Sequence, residues 1–468
     1  MNKFIIFISF ILTVSSLIAS QEYEDSSYFP INCAIHVHSK YSGSNYTISN
    51  IVNLAKDNEI DCVFLTDHFL KKVEYGLWPF RNIIKKTQKY LSVMDNVDIY
   101  LSTIHQVNNI QKDVIIIPSL EITPHYYWEV DKENNALVAY NLHKHMLLLN
   151  ISDPNLYKTL PVIGNELNSA KFNIFSFWPL LVLLLAFFLK SKFLALLALV
   201  FLAINFPFKR YYDQYHNYKE KPYQYLIDFV NDINVNKNIE KNMIIIWAHP
   251  ESPSYEKIYF VKQLRSLKLA TQTKPYFLSL LNTYDYDGFA IFAEGYREVG
   301  SVGGIWDKIL LEYCEGKRKK PVWCFSELDF GETTDPINSR LNVVFVREKN
   351  QYEIINALKS GNFYALWRSC NKELQIFDFK LNNKPACFGK KYKIDKEVKL
   401  EFSVKCKGNS ESAVVYIIRN AEAIYKNTHQ LPTKIEFVES KPKGLSYYRI
   451  YIESKYPNKI ATNPIFVE

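Results

Sequence analysis

The chain has 468 residues, 48% hydrophobic and 22% charged, which excludes a largely disordered chain and leaves room for one large domain and a smaller one. Its net charge of +8 is spread without a long basic block, so no nucleic-acid-binding arm is expected. Seven cysteines without a single C-x-x-C pair exclude a zinc ribbon or a thioredoxin-type centre; free thiols are the expectation, with a Cys387–Cys406 bridge as the alternative.

Residues 1–20 read as a secretory signal: Lys3, an apolar run from Phe4 to Val14, then the small residues Ser15, Ser16, Ala19 and Ser20. Ile18 is bulky for a cut at Ser20, which leaves an uncleaved anchor as the second reading. From residue 31 to about 150, strand-like and helix-like segments alternate. Ile48, Ile51 and Ala55 mark one helical face, with Ser44 or Thr47 as its N-cap. Cys62–Leu65, Val114–Ile117 and Met146–Leu149 are short, continuously apolar runs. A second apolar tract runs from Phe172 to Phe208, broken at Lys190 and Lys192. It predicts a transmembrane helical hairpin, Asn173–Leu189 and Phe193–Phe206, with each arm near the lower limit of the ~17–25 residues a crossing needs. With an exported amino terminus, this places the main domain on the extracytoplasmic side of a bacterial cytoplasmic membrane, and makes the membrane itself a partner.

Past the hairpin, Met243–Trp247, Gly288–Phe292 and Pro321–Phe325 are further buried-strand candidates, and Tyr352, Ile355 and Leu358 suggest a helix that stops at Gly361. The Lys317–Lys320 cluster reads as a solvated helix end. Continuous apolar strands between helices imply an α/β fold with a parallel sheet covered on both faces. The remainder changes period. Val398, Leu400, Phe402, Val404 and Cys406 alternate with polar residues, as do Tyr448, Ile450 and Ile452, so residues 371–468 are expected to form a small β-sandwich.

Polar residues recur at the ends of the apolar runs. His36 and His38 stand at i and i+2, a spacing that points both rings the same way on a strand. Thr66-Asp67-His68 follows the second run, Glu121 the third, and Ala248-His249-Pro250 and Asp329 the later ones. His145 is an exception, because it precedes its run; His143, two residues earlier, competes for the same role. Arg297 follows another strand end and would be placed to bind a phosphate oxygen, with a structural ion pair as the alternative.

In this order, H-x-H-S, T-D-H, a glutamate, H-x-L-L, A-H-P and a terminal acidic motif resemble the PHP (polymerase and histidinol phosphatase) family over residues 31–366, the hairpin apart. The resemblance implies a distorted (β/α)7 barrel and a metal-dependent phosphoesterase. His36, His38 and Asp329 would hold one metal; Glu121 would bridge to a second, held by His145 and His249. His68 would belong to a third site, with Asp67 orienting it, and Asp67, His68 and Arg297 would serve catalysis. Two departures bear on that third site. Asp329-Phe330-Gly331 has glycine where the family's D-x-H has histidine, and Ser42-Gly43-Ser44 stands where an Asp or His is usual. The expectation is therefore two divalent transition metals (Zn, Mn or Fe), with the third position lost. A hydroxide between the two would attack a phosphorylated small molecule or a lipid- or glycan-linked phosphate. A degenerate barrel that keeps metal only to bind a partner is the alternative.

Overall fold

The computed structural model describes residues 28–76, 85–165, 171–172, 174–205, 209–210, 215–236, 242–256, 268–292, 294–369, 372–408 and 411–468. The predicted signal segment lies outside the described residues. Within them the fold is mixed α/β.

The apolar runs become strands because each is buried on both faces. They are β1 (Phe29–Val37), β2 (Cys62–Leu65), β3 (Ile115–Pro118), β4 (Leu120–Ile122), β5 (Met146–Leu149), β6 (Ile244–Trp247), β7 (Gly288–Phe292) and β8 (Trp323–Ser326). β1, β2 and β3 pair in parallel, as do β6, β7 and β8. β3 and β4 are one strand broken at Ser119. The ring closes where the chain past β8 returns to β1, with Leu328 N–H donating to Ile35 O at 3.0 Å and His38 N–H to Phe330 O at 2.8 Å. β5 runs antiparallel to both of its neighbours, β4 and β6. That reversal accounts for His145: the start of a reversed strand lies at the rim where the other strands end.

Helix α1 (Ile48–Asp57) starts at a capping box, Thr47 with Asn50, and buries Ile48, Ile51 and Ala55 as its spacing requires. Helix α2 (Val97–Ile110) covers β3. The predicted hairpin is a correction. Its two arms are α3 (Pro179–Phe188) and α4 (Lys192–Asn205), joined at Lys190-Ser191. At 1.5 Å per residue, 10 and 14 residues reach about 15 and 21 Å, short of the ~30 Å hydrocarbon layer. Pro179 opens the first helix late and the lysine turn ends it early. Among the described residues no helix is long and apolar enough to cross a membrane, which overturns both the transmembrane hairpin and the membrane placement built on it.

Helix α5 (Lys221–Asn236) leads into β6, and α6 (Ile305–Cys314) lies between β7 and β8. The cluster read as a solvated helix end is partly buried instead: Arg318 is 5% exposed and donates to the carbonyls of Leu281 and Thr283 at 3.0 and 2.9 Å. After β8, β9 (Arg340–Val346) pairs antiparallel with β1, and α7 (Gln351–Ser360) stops at Gly361, whose φ of 77° a side chain resists. β10 (Phe363–Trp367) then pairs with β9.

The carboxy-terminal strands do not stand apart from this sheet. Lys459–Thr462 pairs with β10, and Ser446–Glu453 pairs with Lys459–Thr462, so the sheet that begins in the ring continues into the carboxy-terminal region. A second sheet, built mainly from Glu373–Leu381, Glu397–Lys407 and Thr433–Ser440, packs on one face of the extension. Val398, Leu400, Phe402 and Val404 fill that core with Tyr448, Ile450 and Ile452, as the alternation predicts. The opposite parity of Ser446–Glu453 is buried as well, because Tyr447 and Arg449 face helix α6. Cys387 and Cys406 are free thiols.

Candidate metal centre

Six side chains that the sequence spreads over almost 300 positions meet at one rim of the ring, with Glu121 at their centre. Glu121 Oε1 lies 3.3 Å from His36 Nε2 and 3.4 Å from His249 Nε2, and also contacts His145 Nδ1. Its Oε2 lies 3.4 Å from His38 Nε2. Asp329 Oδ1 is 3.3 Å from His38 Nε2 and 3.5 Å from His36 Nε2. The donors fall into two triads, His36–His38–Asp329 and Glu121–His145–His249, each with ligand atoms mutually within 4.8 Å.

Backbone shape helps aim them. His36, His249 and Asp329 have φ of 70°, 20° and 54°, a region costly for residues with a Cβ and concentrated at functional sites. β1 is irregular between Ala34 and Val37, so the two amino-terminal histidines converge through a bulge rather than a regular pleat.

Each imidazole is also fixed from behind. His36 Nδ1–H donates to Glu327 Oε2 at 2.8 Å, and His145 Nε2–H to the Leu142 carbonyl at 3.1 Å. The Tyr276 hydroxyl donates to Ala248 O at 2.5 Å, so it accepts from His249 Nδ1–H at 3.1 Å. Ser42 Oγ–H donates to Asp67 at 2.5 Å, so it accepts from His38 Nδ1–H at 3.3 Å. In all four rings the remaining nitrogen faces the cluster around Glu121, where on losing its proton it offers the lone pair that a divalent cation requires. His36 Nε2 and His38 Nε2 are buried without a hydrogen-bond partner. Orphaned acceptors converging in one place are what a cation satisfies, and the donor set fits the metals expected from the sequence. Asp329, 31% exposed, and His249 form the open side.

Charge is arranged accordingly. Burial pushes the Glu121 carboxyl up, but His145, His36 and His68 together hold it well below the usual carboxylate range. Burial pushes His36 down, and the Glu121 and Asp329 carboxylates more than reverse it. His143 is pushed down to about 4, chiefly by burial. It belongs to neither triad; His145 takes the place for which the two competed.

Two expected catalytic residues are placed differently. Asp67 is fully buried and accepts from Ser39 N–H and Ser39 Oγ–H, both at 2.6 Å, besides Ser42. With its oxygens committed to the 39–42 loop, it acts on His38 through Ser42 rather than orienting His68. Arg297 donates through Nε to the Tyr296 hydroxyl at 3.3 Å, and lines a cavity of about 440 Å³ with Trp367, Arg340 and Tyr456, whose lining includes none of the clustered histidines. Its backbone N–H donates to Glu251 Oε2 at 3.2 Å, two residues past His249, and a phosphate-binding role for its side chain stays a proposal.

Glu327 was missed by sequence reasoning. Its Oε2 fixes His36, and its Oε1 accepts from His249 N–H at 2.7 Å, so one buried carboxylate ties both triads together. Its position in Ser326-Glu327-Leu328-Asp329, two residues before a proposed ligand, was the available signal. Glu327→Gln is expected to weaken metal affinity by about 10–100-fold with little change in fold, measured by competition with a chromogenic chelator.

No family model matches the chain, and no curated protein matches it by sequence. Among solved structures it is similar to a two-domain protein from Bacteroides vulgatus ATCC 8482 that contains a predicted PHP-like metal-dependent phosphoesterase, at 10% identity over 93% of this chain and 95% of that one, with a TM-score of 0.36. A likeness that distant decides nothing about chemistry, which rests on the clustered side chains themselves.

Proposed function

We propose that the chain is a metal-dependent phosphoesterase of the PHP type, its ring a distorted (β/α)7 barrel, hydrolysing a phosphate mono- or diester on a small molecule, lipid or glycan. The observation that carries the reading is Glu121, a single buried carboxylate that belongs to one triad and faces both histidines of the other. When bound, a pair of divalent ions activates water and neutralises phosphoryl charge. The chain's own residues supply the rest. His36, His38, His145 and His249 present lone pairs fixed by Glu327, Ser42, Leu142 and Tyr276, so little reorganisation precedes the reaction. The open side at Asp329 and His249 admits the phosphate while the strands wall off the opposite side.

The test uses the full chain reloaded with manganese or zinc, with bound metal counted by elemental analysis. The expected result is about two tightly held ions and hydrolysis of p-nitrophenyl phosphate or its bis ester, abolished by a chelator. His249→Ala and Asp329→Ala should each lower turnover by at least about 100-fold with the circular-dichroism spectrum retained. Turnover that survives both substitutions rejects the assignment. Full metal loading without hydrolysis of either ester favours the binding-protein alternative.

A further inference from the structure

The two departures from the family motif both touch His68, and the structure shows what stands beside it. Gly331 occupies the position where D-x-H carries histidine. Its φ is 101°, and a Cβ there would lie 2.6 Å from Ser44 Oγ and 3.0 Å from the His38 carbonyl. No side chain fits, histidine included. The same left-handed turn carries the next residue inward: Glu332 Oε1 reaches His68 Nε2 at 2.6 Å. The other His68 nitrogen, Nδ1, lies 2.9 Å from Glu121 Oε2. His68 therefore stands between the central carboxylate of the metal centre and a carboxylate that no motif announced.

We infer that Glu332, with His68, forms a third cation position on the open side of the centre, replacing by a one-residue shift the ligand that glycine removed. It rests on the two-metal reading of the neighbouring triads, not on phosphoester hydrolysis. His38, His68 and Glu332 have ligand atoms mutually within 4.8 Å, but His38 also belongs to the first triad. Its Nε2 faces Asp329 at 3.3 Å and its Nδ1 is held by Ser42, so it has no nitrogen left for a second ion. The third position thus has two protein ligands, one nitrogen and one carboxylate oxygen, with water or a substrate oxygen to complete the shell. Glu332 is 46% exposed, which gives water that access.

The chemistry of that set has two consequences. An ion with two protein ligands binds more weakly than one in either triad and exchanges with solvent. Exchanging a histidine for a carboxylate, with water as the other ligand, also moves the preference from zinc toward manganese or magnesium.

The experiment is a manganese titration of the chelator-stripped full chain, with free Mn²⁺ read by electron paramagnetic resonance. The expected isotherm has two tight ions and a third, weaker one. Glu332→Gln and His68→Ala should each weaken the third by about 100-fold or more and leave the tight pair in place, with the circular-dichroism spectrum retained. Glu332→His should keep a third ion and shift its preference to zinc. A wild-type isotherm that ends at two ions overturns the proposal, and so does a Glu332→Gln isotherm identical to wild type; either leaves Glu332 as a hydrogen-bond partner of His68. Loss of all three ions in Glu332→Gln also overturns it, because the position would not be separable from the pair. Failure to bind any tight manganese in the wild type instead rejects the two-metal centre.

Discussion

Glu121→Gln should release both tightly held ions and lower phosphoester turnover by at least about 1,000-fold, on the order of 4 kcal/mol of transition-state stabilisation. The amide has the shape of the carboxylate, so the ring should fold. What it lacks is the negative charge that four imidazoles and two cations share. Equilibrium dialysis with manganese, run beside the hydrolysis assay, separates metal loss from a purely catalytic defect. A variant that keeps its metal and its activity would remove the central element of the proposed site.

The same substitution has a consequence in chelator-stripped protein. Glu121 is held well below its usual value, so its contribution to stability is complete above the ordinary glutamate value of about 4.3 and lost as pH falls toward the depressed one. His36 and His68 are held well above theirs, so their contribution is complete below about 6.5 and lost as pH rises through the raised values. Pairing within the metal-free cluster is therefore strongest between those limits. Urea midpoints measured against pH should show a maximum there for the wild type and a flatter profile for Glu121→Gln.

The second large effect lies far from the metals. Arg449 and Asp307 are both fully buried, with Nε–Oδ1 at 2.7 Å and Nη2–Oδ2 at 2.8 Å, and the Tyr447 hydroxyl donates to Asp307 Oδ1 at 2.8 Å. The pair joins α6 to the carboxy-terminal extension of the sheet. Arg449→Met strands a carboxylate in the core and should cost about 3–5 kcal/mol, read as a lower urea midpoint. The double variant Arg449→Met with Asp307→Leu removes the stranded charge and should recover most of that loss. Recovery is the diagnostic result, since damage to packing alone would worsen with the second substitution.

Six of the eight ring strands were legible in the sequence because each is a short apolar run with a polar residue beside it, whereas Asn32 and His36 interrupt β1 and Glu121 sits in the middle of β4. The reversed direction of β5 was not legible: Met146–Leu149 is apolar in either orientation, and only the placement of His145 ahead of it hinted at the reversal. The hairpin arms were legible as helices, but hydropathy alone did not show that Pro179 and the lysine turn cut them too short to cross a bilayer. Glu332 was hidden by the motif itself, since attention stops at the glycine where histidine was expected. Tyr447 and Arg449 were hidden for a related reason. Alternation identifies the face of a strand that meets one core and is silent about a second core behind it.

Because the sheet passes without interruption from the ring into the carboxy-terminal strands, the two halves of this protein cannot be inherited or engineered as interchangeable modules. A chain cut after residue 367 would bare the edge of Phe363–Trp367, with Tyr364 and Leu366 stripped of the core they now face. Exposed edges of that kind recruit copies of themselves. Damage to the tail should thus be felt first as insolubility of the whole molecule and only secondarily as altered chemistry.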